Sequence, residues 1–170
     1  MLYTSAEANK LLKRIESRIS DLKDKEEKSS SFKVASGEDV ESLRPKYDFA
    51  ETQALLDELE EMVRKVKHAI NVFNTTHTVP GFGELTIDQA LILIPQLTMK
   101  LRKLKRMANA LPKMRIESLR SVIIDYEVAN YDISEAETEY REIQKKLSEL
   151  QLALDSVNSS ETMEIDVELS

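Results

Sequence analysis

Between Thr86 and Leu111 the apolar residues Leu91, Ile94, Leu97, Leu101, Leu104, Ala108 and Leu111 recur in steps of three and four. On an α-helix that spacing gathers them into one stripe facing one neighbour, so the chain must pack long helices along seams. Thr86 and Gln89 have the spacing of a capping box, in which the hydroxyl accepts from the third helical amide and the glutamine reaches back. Pro95 lacks an amide hydrogen and crowds the carbonyl of Leu91. Because the pattern runs on past it, a kink is expected there rather than a stop.

The same periodicity predicts three more helices. Ala8, Leu12, Ile15, Ile19 and Leu22 mark one over 5–28, with Thr4 and Glu7 as its box. Leu55, Leu56, Leu59, Met62, Val63, Val66, Ala69, Ile70 and Phe73 mark a second over 48–74, opened by Asp48 and Glu51, with a stripe wide enough for more than one neighbour. Ile133, Ala136, Tyr140, Ile143, Leu147, Leu150, Leu154 and Val157 give the most regular heptad seam, over 132–157, capped by Asp132 and Glu135. With the central helix at 86–111, these segments predict a mainly α fold, one domain over 1–170. It is an up-and-down bundle, or long helical hairpins, with coiled-coil-like seams and a small antiparallel β element.

Strand candidates are 31–35 around Phe32 and Val34, 121–129 where Val122, Ile124, Tyr126 and Val128 alternate with their neighbours, and the tail 162–169. In an up-and-down order the first two fall at one end and are expected to pair as a ribbon. The tail emerges at the other end, so it is expected to pair with the edge of another chain.

Composition narrows the function classes. Of 170 residues 32% are charged, with three glycines and no tryptophan, closer to long-helix composition than to an enzyme scaffold. The absence of cysteine removes disulfides, thiolate metal sites and cysteine nucleophiles. No signal peptide is visible at Met1–Lys10, and the apolar run from Ala90 to Pro95 is far short of the roughly 20 residues that span a bilayer, so a cytoplasmic protein is expected. His68 and His77 are nine apart with no metal-bundle spacing, and nucleophile elbows, phosphate loops and dinucleotide fingerprints are absent. No catalytic residue, metal or cofactor is therefore expected. The acidic cluster Asp57, Glu58, Glu60 and Glu61 reads as a solvated face that suits the helix dipole early in its helix.

The second helix ends in a polar run. Asn71, Asn74, Thr75 and Thr76 supply either the hydrogen bonds of a helix cap and turn or a small polar pocket for a ligand near the amides that open the next helix. The stretch Ile70-Asn71-Val72-Phe73-Asn74-Thr75-Thr76, followed by Gly83-Glu84-Leu85-Thr86-Ile87-Asp88-Gln89-Ala90-Leu91, resembles the septicolysin-like family of small bacterial helical proteins, and the resemblance extends from the first helix to the tail. It implies a bacterial helical protein without a firmly assigned activity, and the family's name implies a membrane-active alternative. Ile94 and Pro95 stand where the family pattern implies an arginine-aspartate pair, so a role for that pair is not expected here.

Charge is the most informative surface property. From Leu97 to Ser121, Lys100, Arg102, Lys103, Lys105, Arg106, Lys113, Arg115 and Arg120 face Glu117 alone, while from Val122 onward thirteen acidic residues face three basic ones. Either the two segments pack antiparallel and neutralise each other, or the basic patch Lys100, Arg102, Lys103, Lys105 and Arg106 meets an anionic partner. A sequence pI of about 5.0 and the lack of an aromatic residue in the block argue against nucleic acid, and no lipid-inserting Trp or Phe marks a membrane surface. The expected function is a homo-oligomeric interaction or scaffold module with an unidentified protein partner. A membrane-active protein and a ligand-binding protein or enzyme using 71–77 are the alternatives.

Overall fold

The structure, a computed structural model, describes residues 1–116 and 124–167. Its elements run β1 (Leu2–Thr4), α1 (Ser5–Ser29), α2 (Val40–Leu43), α3 (Phe49–Thr76), α4 (Ile87–Ala108), β2 (Lys113–Ile116), β3 (Asp125–Val128), α5 (Ile133–Ser160) and β4 (Thr162–Glu164). The architecture is mainly α, 67% helical with five helices among the described residues and small antiparallel sheets. The single domain expected over 1–170 is organised as two compact units, Met1–Asn74 with Asn158–Ser170, and Thr75–Val157.

In the first unit α1 and α3 form an antiparallel hairpin. Lys23 pairs with Glu60 at 3.1 Å and Glu16 with Lys67 at 2.9 Å, so a step of seven up one helix is a step of seven down the other. Both pairs are exposed and each is worth only about 0.2–1 kcal/mol, so the hairpin rests on its apolar stripes. Ala8, Leu11, Ile15, Leu56, Leu59, Val66 and Phe73 are buried. Thr4 caps α1 as expected: its hydroxyl accepts from the Glu7 amide at 3.3 Å, and the Glu7 carboxylate accepts from the Thr4 amide at 2.8 Å. That second bond, foremost, holds the Glu7 carboxyl below its ordinary range. Asp48 caps α3, accepting from the Glu51 amide at 3.0 Å.

Between these helices the strand expected at 31–35 does not form. The segment is irregular up to Gly37, whose φ of 97° is left-handed, and Asp39 then caps the single turn α2. Phe32 lies under the Arg44 guanidinium, 5.8 Å from ring centroid to Cζ, instead of entering a ladder. An apolar pair at Phe32 and Val34 is too short to order a strand without a neighbour in register.

The tail also differs from expectation. Rather than seeking another chain, β4 pairs antiparallel with β1, Leu2 opposite Glu164, Tyr3 opposite Met163 and Thr4 opposite Thr162. Ile165 adds a reciprocal clasp, its carbonyl accepting from the Met1 amino group at 3.1 Å and its amide donating to the Met1 carbonyl at 2.9 Å. Met163, Ile165 and Val167 are buried while Glu164 and Asp166 are exposed, so the alternation is that of a half-buried strand. Positions 168 and 169 of the expected strand lie outside the described residues.

In the second unit α4 buries Ile87, Ala90, Leu97 and Leu104 and half-buries Ile94, Leu101 and Ala108, a seam in alternating steps of three and four. Leu91, expected on that seam, is 48% exposed, because with Ile87 and Ala90 inward the heptad leaves it outside. The helix passes through Pro95 and ends at Ala108, with Asn109 as C-cap, so Leu111 is exposed beyond it. Its antiparallel partner is α5, as Lys100 meets Glu139 at 2.5 Å and the Tyr131 hydroxyl donates to the Met107 carbonyl at 3.0 Å. Every residue of the seam expected on α5 is buried or half-buried. The ribbon exists, but β3 pairs with β2 and not with 31–35. The pairing strand β2, Lys113–Ile116, lies outside the strand candidates of the sequence, because its alternation spans only four residues.

Two measurements test this packing. Ile165→Ala should cost about 2–4 kcal/mol in urea unfolding, as deletion of buried methyls does; a loss under about 1 kcal/mol would mean that the tail is not part of the core. Tyr47 donates its phenol proton to Glu26 Oε1 at 2.6 Å, and this bond, more than burial or charge, pushes its pKa up to about 12. The fold holds the protonated phenol, so this stabilisation is full below the ordinary value of 10.0 and is lost as pH rises through about 12. In an ultraviolet titration one of the five tyrosines should ionise near pH 12, and Tyr47→Phe should remove that step.

Candidate functional site

Asn71, Asn74, Thr75 and Thr76 lie in the last two turns of α3, which remains helical through Thr76. Asn71, Thr75 and Thr76 are exposed and Asn74 half-buried, while Phe73 between them is buried. The loop that follows closes on itself. Ile87 donates to the His77 carbonyl at 2.9 Å, Val79 to Leu85 at 2.8 Å, and Phe82 to Val79 at 3.1 Å, with Thr78 and Thr86 in an antiparallel bridge. The Gln89 amide is taken by the Thr86 hydroxyl at 3.3 Å. Two of the first three amides of α4 are thus engaged before any ligand arrives, which leaves little of the anion site that a free helix N-terminus offers. The four residues share one helix end.

His68 is exposed, and His77 is half-buried with Nδ1 3.2 Å from the Thr76 hydroxyl. Among the described residues no three His, Asp or Glu side chains gather as a metal site, and no helix is long and apolar enough to cross a membrane. In the acidic cluster Glu60 pairs with Lys23 and Glu61 with Lys65, the latter at 2.9 Å, while Asp57 and Glu58 are exposed.

The basic residues converge where the polar ones do not. Arg102, Lys103, Lys105 and Arg106 are exposed on α4 and, with Met99 and Asn109, line a groove of about 800 Å³. Antiparallel packing of α4 on α5 neutralises only Lys100. Glu137, which could have met a second cation, pairs with Arg141 one turn along its own helix. None of the other four makes an ion pair among the described residues. The hairpin also brings what local sequence lacks, an aromatic residue. Tyr131, 24 positions after Met107, joins Lys103 and Arg106 around a smaller cavity of about 290 Å³. Only the antiparallel return of the chain brings it there, so no spacing in the sequence could have signalled it.

Beyond α4 the β2–β3 ribbon continues this surface. Residues opposite one another on an antiparallel pair share a face, so Lys113, Arg115, Tyr126 and Val128 lie on one side and Met114, Ile116, Asp125 and Glu127 on the other. The Lys113 ammonium sits 4.1 Å from the Tyr126 ring centroid. All eight residues are exposed, including Val128 at 61% and Tyr126 at 50%. Below the ribbon, Leu111, Met114, Val128 and Tyr131 help line a further cavity of about 580 Å³. At the exit from the ribbon Asp132 caps α5, accepting from the side chain and backbone of Ser134, both at 2.7 Å, and these bonds hold its carboxyl below its usual range.

No protein-family model matches the chain, and no curated protein matches it. It is similar in fold to a crystal structure of a functionally unknown conserved protein from Corynebacterium diphtheriae, with a TM-score of 0.57 and 19% identity, covering 96% of this chain and all of that one.

The loop that seats α4 depends on left-handed backbone at Gly81, φ 82°, and Gly83, φ 65°. A Cβ at either would meet nothing within 4 Å, so Gly81→Ala should cost only the backbone strain, about 1–2 kcal/mol by thermal or urea unfolding. An unchanged stability would mean that the loop does not hold this conformation.

Proposed function

We propose that this chain is a cytoplasmic, homo-oligomeric interaction or scaffold module without catalysis of its own, and that the β2–β3 ribbon is where a second copy attaches. The observation that carries the proposal is the exposure of both ribbon strands along their whole described length, with Met114, Ile116, Tyr126 and Val128 all at least 44% exposed. Two strands in isolation are marginal in water, because ordering each residue costs about 1–2 kcal/mol and nothing here is buried in return. Their outer edges offer free amides and carbonyls, and two ribbons related by a twofold axis extend each other's ladder. Apolar side chains next to the joint would then pack against their cross-strand neighbours from the other copy on each face. Membership of the septicolysin-like family, on residues 70–76 and 83–91, belongs to the same proposal.

Light scattering coupled to size exclusion should find a multiple of the 19.4 kDa chain mass. Ile116→Glu with Val128→Glu should return it to the monomer with unchanged helical circular dichroism, since neither residue supports the hairpin seam. A wild-type monomer at all concentrations, or a multimer indifferent to both substitutions, overturns the proposal.

A further inference from the structure

We infer that the groove on the outer side of α4 is a docking site for an acidic, amphipathic segment of a protein partner. The inference stands apart from the ribbon. Met99, Arg102, Lys103 and Arg106 are spaced by three and four, on the side of α4 opposite Leu97 and Leu104. Like charges at such spacings repel along a helix and weaken it. The negative C-terminal end of the helix accounts for Lys105 and Arg106 in the last turn, but not for Arg102 and Lys103 one turn earlier. No acidic side chain offsets them among the described residues: Glu139 is taken by Lys100 and Glu137 by Arg141.

The occupant follows from the two chemistries in the groove. Met99 is 70% exposed at the N-terminal end of its lining, a flexible apolar side chain next to arginine and lysine side chains whose stems are themselves aliphatic. A bare phosphate would use the charges and leave Met99 wet. A nucleic acid would find no aromatic in the lining of the groove and a single one, Tyr131, beside Lys103 and Arg106, too few to stack a run of bases. A segment that presents leucines between glutamates satisfies both halves, with carboxylates on the guanidinium groups and an apolar side chain on Met99.

The test is fluorescence anisotropy of the full chain at low ionic strength, with a labelled peptide of three Glu-Leu-Glu-Glu-Leu-Leu-Glu heptads as probe. Its lysine-for-glutamate counterpart and a thymidine oligonucleotide of equal charge serve as competitors for comparison. Saturable binding of the acidic peptide alone is expected, weakened about tenfold by Arg102→Glu with Arg106→Glu. Met99→Glu should weaken it as well, and Ile116→Glu with Val128→Glu should leave it unchanged, which separates this site from the ribbon. All these positions are exposed, so circular dichroism should report an intact fold in each variant. The inference is overturned by an acidic peptide that does not bind, by binding indifferent to the Arg102 and Arg106 reversals, or by an oligonucleotide that binds more tightly than the peptide.

Discussion

The narrowness of the apolar stripe on α4 governs the second unit. Ile87, Ala90, Ile94, Leu97, Leu101, Leu104 and Ala108 are sufficient to bury one side of the helix and no more. Burial of such side chains is worth about 1.5–3 kcal/mol each, against at most about 1 kcal/mol for the exposed Lys100–Glu139 pair, so the stripe and not the charge sets how the hairpin packs. Once it has done so, Leu91, Ile92 and Met99 are left outward with Arg102, Lys103 and Arg106 behind them. The outer surface of α4, with its cations out of reach of α5, is therefore a consequence of the fold.

The two small sheets set the same hydrogen-bond chemistry in opposite surroundings. Between β1 and β4 the pairing is backed by buried Met163 and extended by the Met1–Ile165 clasp, with Ile165 and Val167 buried just beyond, so that both described chain ends are held in the first unit. Between β2 and β3 the register is as regular, yet all eight residues are exposed. Backbone bonds contribute only about 0.5–1.5 kcal/mol each in net free energy because water competes for both partners. Burial is what separates a strand pair that closes a core from one that waits for a neighbour.

What could be read from the sequence follows the range of the interactions involved. The starts of α1 and α4 were legible because Thr4–Glu7 and Thr86–Gln89 are exchanges across three residues. The faces of α3 and α5 were legible because wide or unbroken stripes leave no choice of side. Leu91 was misplaced because the stripe of α4 starts at Ile87, so an apolar residue one position after Ala90 falls outside it. The partner of β4 was missed because Leu2–Thr4 lies about 160 positions away and has no pattern of its own, and β2 because four alternating residues do not stand out from a connector. Tyr131 reached the basic surface for the same reason, through the tertiary return of the chain. The basic residues themselves were visible as composition, and their freedom from α5 was not, since it depends on which side of α4 is turned to its partner.

Hydrogen–deuterium exchange of the β2 and β3 amides at several protein concentrations tests the central claim most directly. If the ribbon is ordered by a second copy, its amides should exchange slowly in concentrated solution and lose protection on dilution while those of α4 and α5 stay protected. Rapid exchange of the ribbon at every concentration would contradict the account, as would slow exchange that dilution does not alter.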